Sequence, residues 1–266
     1  MNMQNSQIGE LLDSFKQTAY KPIINQENCE PKFSINSKYR GYPYLQNVND
    51  WPDCNVCGKL MPLIFQLNLS DIPVFKQKDY LIQYFQCVNA SLAGTPCELG
   101  DHKINSSLLR KVKIINPPVK VSVSFDQIFD AKSNFSELIV EKISTEMEII
   151  GWEAFDDYPS PIDFEDMVEY IESKIGKEVL GFLYDNIKRL EEFENKQCSN
   201  EDKLFGYPYW DQTSSYPDKS GQTMKLLFQI QGFLSSNRSS IGFQAGKVGK
   251  VFQSKDSTDL IFTTEY

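Results

Sequence analysis

The residues with the most legible chemistry are the two cysteines of Cys54-Asn55-Val56-Cys57-Gly58-Lys59. Two thiolates at this spacing can grip one ion from a tight turn, and a glycine after the second cysteine eases that turn. A closed tetrahedral site needs two further ligands. Cys87, at the end of an apolar run, and Cys97, after Pro96, are the best candidates; Cys29 or His102 could take the place of Cys97. The expected ion is Zn2+ in a structural role, because four thiolates leave no open position for water or substrate. Unmetallated thiols and a redox pair are the competing readings, the latter without the βαβ pattern that usually surrounds one.

Other chemistry is thinner. A Ser-His-Asp or Cys-His system would need His102, the single histidine, which sits in the polar run Gly100-Asp101-His102-Lys103 with no nucleophile-elbow sequence nearby. Gly242-Phe243-Gln244-Ala245-Gly246-Lys247 is one residue short of a phosphate loop and lacks the hydroxyl residue after Lys. Glu153, Asp156 and Asp157 cluster beside Trp152 and Tyr158 and could do acid–base work, or form a polar loop ahead of Pro159 and Pro161. No catalytic centre is legible.

The chain repeats itself. Lys38-Tyr39-Arg40-Gly41-Tyr42-Pro43-Tyr44 matches Lys203-Leu204-Phe205-Gly206-Tyr207-Pro208-Tyr209 at five of seven positions, with Gln46 and Gln212 just downstream. Each copy precedes an apolar segment, Leu63-Ile64-Phe65-Gln66-Leu67 and Leu226-Leu227-Phe228-Gln229-Ile230. Repetition in matching order predicts two duplicated supersecondary units. Proline holds the preceding tyrosine extended, and tyrosine rings can cover a sheet end while their hydroxyls stay wet. The functional alternative is a groove lined by Tyr42, Tyr44, Tyr207, Tyr209 and Trp210.

Periodicity supplies the elements that would position these groups. Ile8, Leu11, Leu12, Phe15 and Ala19 predict an N-terminal helix over roughly 6–19. Extended segments are expected at Leu60–Leu69, Tyr80–Val88, Leu108–Ile115, 121–125, Leu138–Trp152, Met224–Ile230, Ser240–Phe243, Lys247–Gln253 and Leu260–Thr264. Between the repeats, the apolar stripes Phe164–Ile175 and Val179–Phe193 predict a helical hairpin, with Asp163 as its cap. The expected fold class is α+β: a duplicated, largely antiparallel sheet unit with an N-terminal helix and a helical hairpin between its halves. One domain over 1–266 is expected, with a first half at 1–135 that holds the knuckle region 51–103, an acidic connection at 136–202, and a second half at 203–266.

Composition narrows the partners. The chain has 41% hydrophobic and 24% charged residues with a net charge of -9, and its pI is about 4.8. No basic stripe suggests nucleic acid, and no apolar run approaches a membrane span. The start shows no signal-peptide pattern, so a reducing cytoplasm is the expected compartment, where cysteines serve as thiols or metal ligands. Residues 136–202 carry 19 acidic and 6 basic side chains. They form either the solvated face of helices or a surface for a basic partner.

Taken together, the first motif, Trp51-Pro52, the run Pro62–Pro73, Leu204–Pro208, Leu227–Ile230 and the closing segments Gly246–Phe252 and Asp259–Phe262 resemble the YwqG-like family, bacterial proteins of unassigned activity. The resemblance implies an α+β fold with an internally duplicated sheet, and a binding role of the immunity or accessory kind beside secreted toxins. Gly246-Lys247-Val248-Gly249 departs from the Gly-Asp-x-Gly-like turn of many relatives by lacking the Asp. More distantly, Cys54, Cys57, Gly58, Met61, Gln66, Cys87 and Cys97 resemble the knuckle region of programmed-cell-death-2-type ribosome-assembly chaperones, which hold a basic client. The functional expectation is therefore a cytoplasmic binder of another protein, a toxin or basic client, with a structural zinc site. The alternative is a hydrolase or small-ligand enzyme that uses the tyrosine- and carboxylate-lined groove.

Overall fold

The computed structural model describes residues 10, 12–25, 30–72, 80–87, 97, 110–115, 145–160, 162–163, 198–210, 213–231, 248–254 and 260–264. Twelve strands lie among them. In chain order these are β1 (Gln17–Ile24), β2 (Lys38–Arg40), β3 (Leu63–Asn68), β4 (Leu81–Gln86), β5 (Arg110–Ile115), β6 (Glu146–Asp157), β7 (Lys203–Leu204), β8 (Asp218–Lys219), β9 (Gln222–Thr223), β10 (Lys225–Gln231), β11 (Val248–Gln253) and β12 (Leu260–Thr264). The strands expected from periodicity at β3, β4, β5, β10, β11 and β12 agree to within three residues at either end.

The α+β class is corrected. Among the described residues the strands pair antiparallel, β1 with β7, β7 with β10, β10 with β11, β11 with β12, β6 with β2, β2 with β3, β3 with β4, β4 with β5 and β8 with β9, and helix is confined to short turns such as residues 12–15. The chain is a mostly antiparallel β protein. The N-terminal helix expected through Ala19 is cut short because Gln17–Ile24 is strand, with Ala19 fully buried in it. The expected hairpin over 164–193 lies outside the described residues, as do the expected strands at 121–125 and 240–243, and His102, Cys29 and Gln212.

The chain divides into two compact units. The knuckle unit comprises Pro22–Trp152 and Leu234–Gln244, and the second unit comprises Met1–Lys21, Glu153–Phe233 and Ala245–Tyr266. Within the knuckle unit the strand order is β2-β3-β4-β5, and within the second unit it is β12-β11-β10-β7; β1 and β6 each contribute residues to both units. β3 and β4 are buried along their whole length, as the near-continuous apolar content of β3 requires.

Each repeat motif opens on a strand, and the same constellation surrounds both copies. Lys38 and Lys203 are fully buried. Lys38 Nζ lies 2.8 Å from Glu146 Oε2, and Lys203 Nζ lies 2.8 Å from Asp157 Oδ2. Lys38 and Lys203 stand opposite Gln66 and Gln229 in the sheet. Gln66 Oε1 accepts the Tyr44 amide at 2.9 Å, while its Nε2 donates to the Ser34 and Asn36 carbonyls. Gln229 Oε1 accepts the Tyr209 amide at 2.7 Å, and its Nε2 donates to the Ser199 and Glu201 carbonyls. A buried amide is tolerated because its polar ends are met.

The motif glycine follows from this geometry. Gly41 and Gly206 have φ +73° and +71°, each preceded by another residue at positive φ, Arg40 and Phe205. A Cβ on Gly41 would collide with the Glu146 carboxylate, and one on Gly206 with the Asp157 carboxylate. In the second copy the Tyr207 amide, next to the glycine, donates to Asp157 Oδ2 at 2.8 Å. Glycine is therefore required twice over, by backbone conformation and by the carboxylate above it. Gly41→Ala and Gly206→Ala should each cost about 2–4 kcal/mol of stability, by combined backbone strain and displacement of a buried charge; Gly221→Ala, also at positive φ but with nothing within 4 Å, should cost about 1 kcal/mol. Urea denaturation of the three variants checks the order, and equal losses would contradict it.

Candidate metal centre

The cysteine motif folds as a turn whose backbone bonds close on themselves. Cys54 N–H donates to the Lys59 carbonyl at 2.8 Å and Gly58 N–H to the Cys54 carbonyl at 2.8 Å. Gly58 takes φ +68°, and Asp53 bridges Leu60. The Val56 amide points at Cys54 Sγ, 3.4 Å away, a donor well placed to stabilise a thiolate. Trp51 beneath the turn donates its Nε1–H to the Met61 carbonyl at 2.7 Å.

Strand pairing brings the remaining sulfurs. β3 leaves the knuckle and pairs with β4, Leu63 opposite Phe85, so Cys87, just past β4, reaches the turn. Cys57 Sγ lies 3.7 Å from Cys87 Sγ, and Cys54 Sγ lies 3.8 Å from Cys97 Sγ. All four sulfurs lie within 4.8 Å of one another. A tetrahedron of thiolates about 2.3 Å from zinc has edges of about 3.8 Å, so the spacing fits such an ion. Cys54, Cys87 and Cys97 are buried and Cys57 is partly exposed. Tyr42, Leu45, Trp51, Met61, Leu63 and Phe85 pack around them.

The donor set is electrostatically uneven. Burial pushes the Cys97 thiol up to about 12, with hydrogen bonds to Cys57 and Cys54 adding to it. Burial also works to raise Cys57, but the Lys59 backbone amide and the neighbouring sulfurs outweigh it and hold this thiol below its ordinary value. A divalent cation at the centre would favour the thiolate form of its ligands.

The tyrosines are divided. Tyr42 and Tyr44 are buried in the knuckle unit, Tyr42 stacked on Phe33 at 4.9 Å. Tyr207, Tyr209 and Trp210 belong to the second unit, where the Tyr207 hydroxyl donates to the Phe15 carbonyl at 2.7 Å and Trp210 is buried. Tyr42 and Tyr44 are core residues, as the packing reading of the motif has it. The carboxylates are also dispersed, since Asp157 is held by Lys203, Asp156 pairs with Lys16 at 3.1 Å, and Glu153 is exposed.

Residues 37–262 match the family described as a domain of unknown function, DUF1963. The chain belongs to the DUF1963 family. No protein of curated function matches it. Among the described residues, no helix of this DUF1963 protein is long and apolar enough to cross a membrane.

Sequence reasoning missed a second polar cluster, built on Asp163. The helix cap expected at Asp163 belongs instead to Ser160: Asp163 N–H donates to Ser160 Oγ at 3.2 Å, and Asp163 Oδ2 accepts the Ser160 amide at 2.9 Å. This is a capping box, a signal that Ser160-Pro161-Ile162-Asp163 carries openly in the sequence. Asp163 Oδ1 accepts from Trp210 Nε1 at 3.1 Å and from the Tyr216 hydroxyl at 2.8 Å. Burial raises the Asp163 carboxyl above its ordinary value, against the pull of these donors.

Because protons compete with metal for the four sulfurs, affinity should fall steeply as pH is lowered and rise as it is raised. Cobalt titration of the metal-stripped chain, followed by its thiolate charge-transfer bands, should show this at successive pH values. Cys97→Ser should abolish most of the band intensity. Binding that is independent of pH, or unaffected by the Cys97 change, would contradict four-sulfur ligation.

Proposed function

We propose that this chain is a protein-binding scaffold whose first repeat is fastened by a structural Zn2+ held by Cys54, Cys57, Cys87 and Cys97. The observation that carries the reading is the closed set of four sulfurs at tetrahedral spacing. Such a set stiffens a turn and leaves no coordination position for a substrate. What it stiffens is a presented surface: Asp53, Asn55, Gly58 and Lys59 of the turn are exposed, and the space beside Gly58 is open. A rigid, exposed tip on a metal-fastened turn is a means of contacting another macromolecule at little ordering cost.

Within DUF1963 the YwqG-like resemblance favours a binding role of the immunity or accessory type in the cytoplasm, with a toxin as partner. The similarity to ribosome-assembly chaperones favours a basic client instead, and the net charge of -9 suits one. Both assign the partner to the same class, another protein.

Affinity capture with the tagged zinc-loaded chain in its native host is the test. A specific partner that is retained by the wild type, and lost both by Cys54→Ser with its zinc and by Asn55→Arg with zinc intact, supports the proposal. A partner bound equally by all three would overturn the role of the knuckle, and recovery of the chain alone would overturn the binding role.

A further inference from the structure

The two repeats can be aligned residue by residue through the strand register. Leu63 stands opposite Phe85 in β3 and β4, and Leu226 opposite Phe252 in β10 and β11, each pair followed by a register shift of the same kind. Ahead of these strands, Met61 N–H donates to the Pro52 carbonyl, and Met224 N–H to the Pro217 carbonyl. Trp51-Pro52 thus corresponds to Tyr216-Pro217. The knuckle closed by Asp53 and Leu60 corresponds to the β8–β9 hairpin, closed by Asp218 and Thr223. Gly58 and Gly221 both have positive φ in these turns. Cys87 follows β4 as Ser254 follows β11, and both are buried. The second repeat keeps the loop and lacks the cysteines.

A different hub occupies that half. Trp210, Met224, Leu226 and Phe252 form the core cluster that corresponds to Leu45, Met61, Leu63 and Phe85, with Tyr216 packed against it. Trp210 stacks on Phe252 with ring centroids 6.1 Å apart, and Lys250 Nζ lies 4.1 Å from the centre of the Trp210 ring. Asp163, buried, ties Trp210, Tyr216 and the Ser160 helix cap together through both of its oxygens.

We infer that Asp163 is the metal-free counterpart of the tetrathiolate centre: one buried carboxylate with converging donors fastens Trp210 and the hairpin segment that starts at Tyr216, as one cation with converging thiolates fastens Trp51–Leu60. The charge arrangement is inverted and the mechanical task is the same. The consequence is that metal supply governs the order of one repeat only. Removing the ion frees the knuckle and its exposed tip while the second repeat keeps its structure. This rests on the zinc assignment made above.

The test is hydrogen–deuterium exchange on the full zinc-loaded chain, with zinc content measured on the same sample. Chelation should speed exchange across 51–61 by at least about tenfold and leave 213–224 unchanged, as expected for local release of one fastened segment. Asp163→Asn, and the milder Tyr216→Phe if the first fails to fold, should speed exchange across 213–224 while zinc content and residues 51–61 stay as they were. A chain without zinc overturns the metal assignment and this inference with it. Zinc present, but chelation freeing both segments alike, overturns this inference alone, as does a Tyr216→Phe chain with unaltered exchange at 213–224.

Discussion

A lysine ammonium with a carboxylate in a dry interior is the interaction on which each repeat is built. Two buried charges must be paired and hydrogen-bonded to be tolerated, and this requirement shapes everything near Lys38 and Lys203. The pair sets where the carboxylate lies, the carboxylate excludes a side chain at Gly41 or Gly206, and the glycine permits the positive-φ step that turns the chain into Tyr-Pro-Tyr. The glutamine across the sheet then receives the amide of the last tyrosine. The recurring Lys-x-x-Gly-Tyr-Pro-Tyr is the visible part of a larger lock whose other members lie elsewhere in the chain.

The acid partners show how far duplication was followed by divergence. Lys38 is served by Glu146 at the start of β6, and Lys203 by Asp157 at its end. Lys38 also donates to the Lys32 carbonyl, where Lys203 has Cys198 Sγ at 3.4 Å; burial pushes that thiol up to about 12. Desolvation lowers the Lys38 ammonium below its ordinary value, with Glu146 pulling the other way. Beyond the lock the halves part further. One holds its following loop to a four-sulfur centre, and the other holds a hairpin and a carboxylate hub.

Much of this was legible in the sequence. Apolar runs marked β3, β4 and β10 because strands buried along nearly their whole length show continuous hydrophobicity. The Cys-x-x-Cys turn is readable from its spacing, whereas its partners are legible only as candidates, Cys87 and Cys97 ahead of Cys29 or His102. β2 and β7 were not recognised, since a short strand opening on lysine carries no apolar signature. Buried Lys38 and Lys203 were hidden for the same reason: their carboxylates are 108 and 46 residues away. The apolar spacing through Ala19 suits a helix, but sheet pairing decides the structure there: β1 sets Tyr20 opposite Leu204. Tertiary pairing overrides such periodicity wherever a partner strand waits.

The asymmetry between the halves carries the functional reading, and it stands on the identity of the atom at the centre of the four sulfurs. X-ray absorption at the zinc edge of the purified chain measures this directly. Four sulfur neighbours at about 2.3 Å, with no nitrogen or oxygen in the shell, are predicted. A shell containing nitrogen or oxygen, or protein that carries no zinc, would contradict the account.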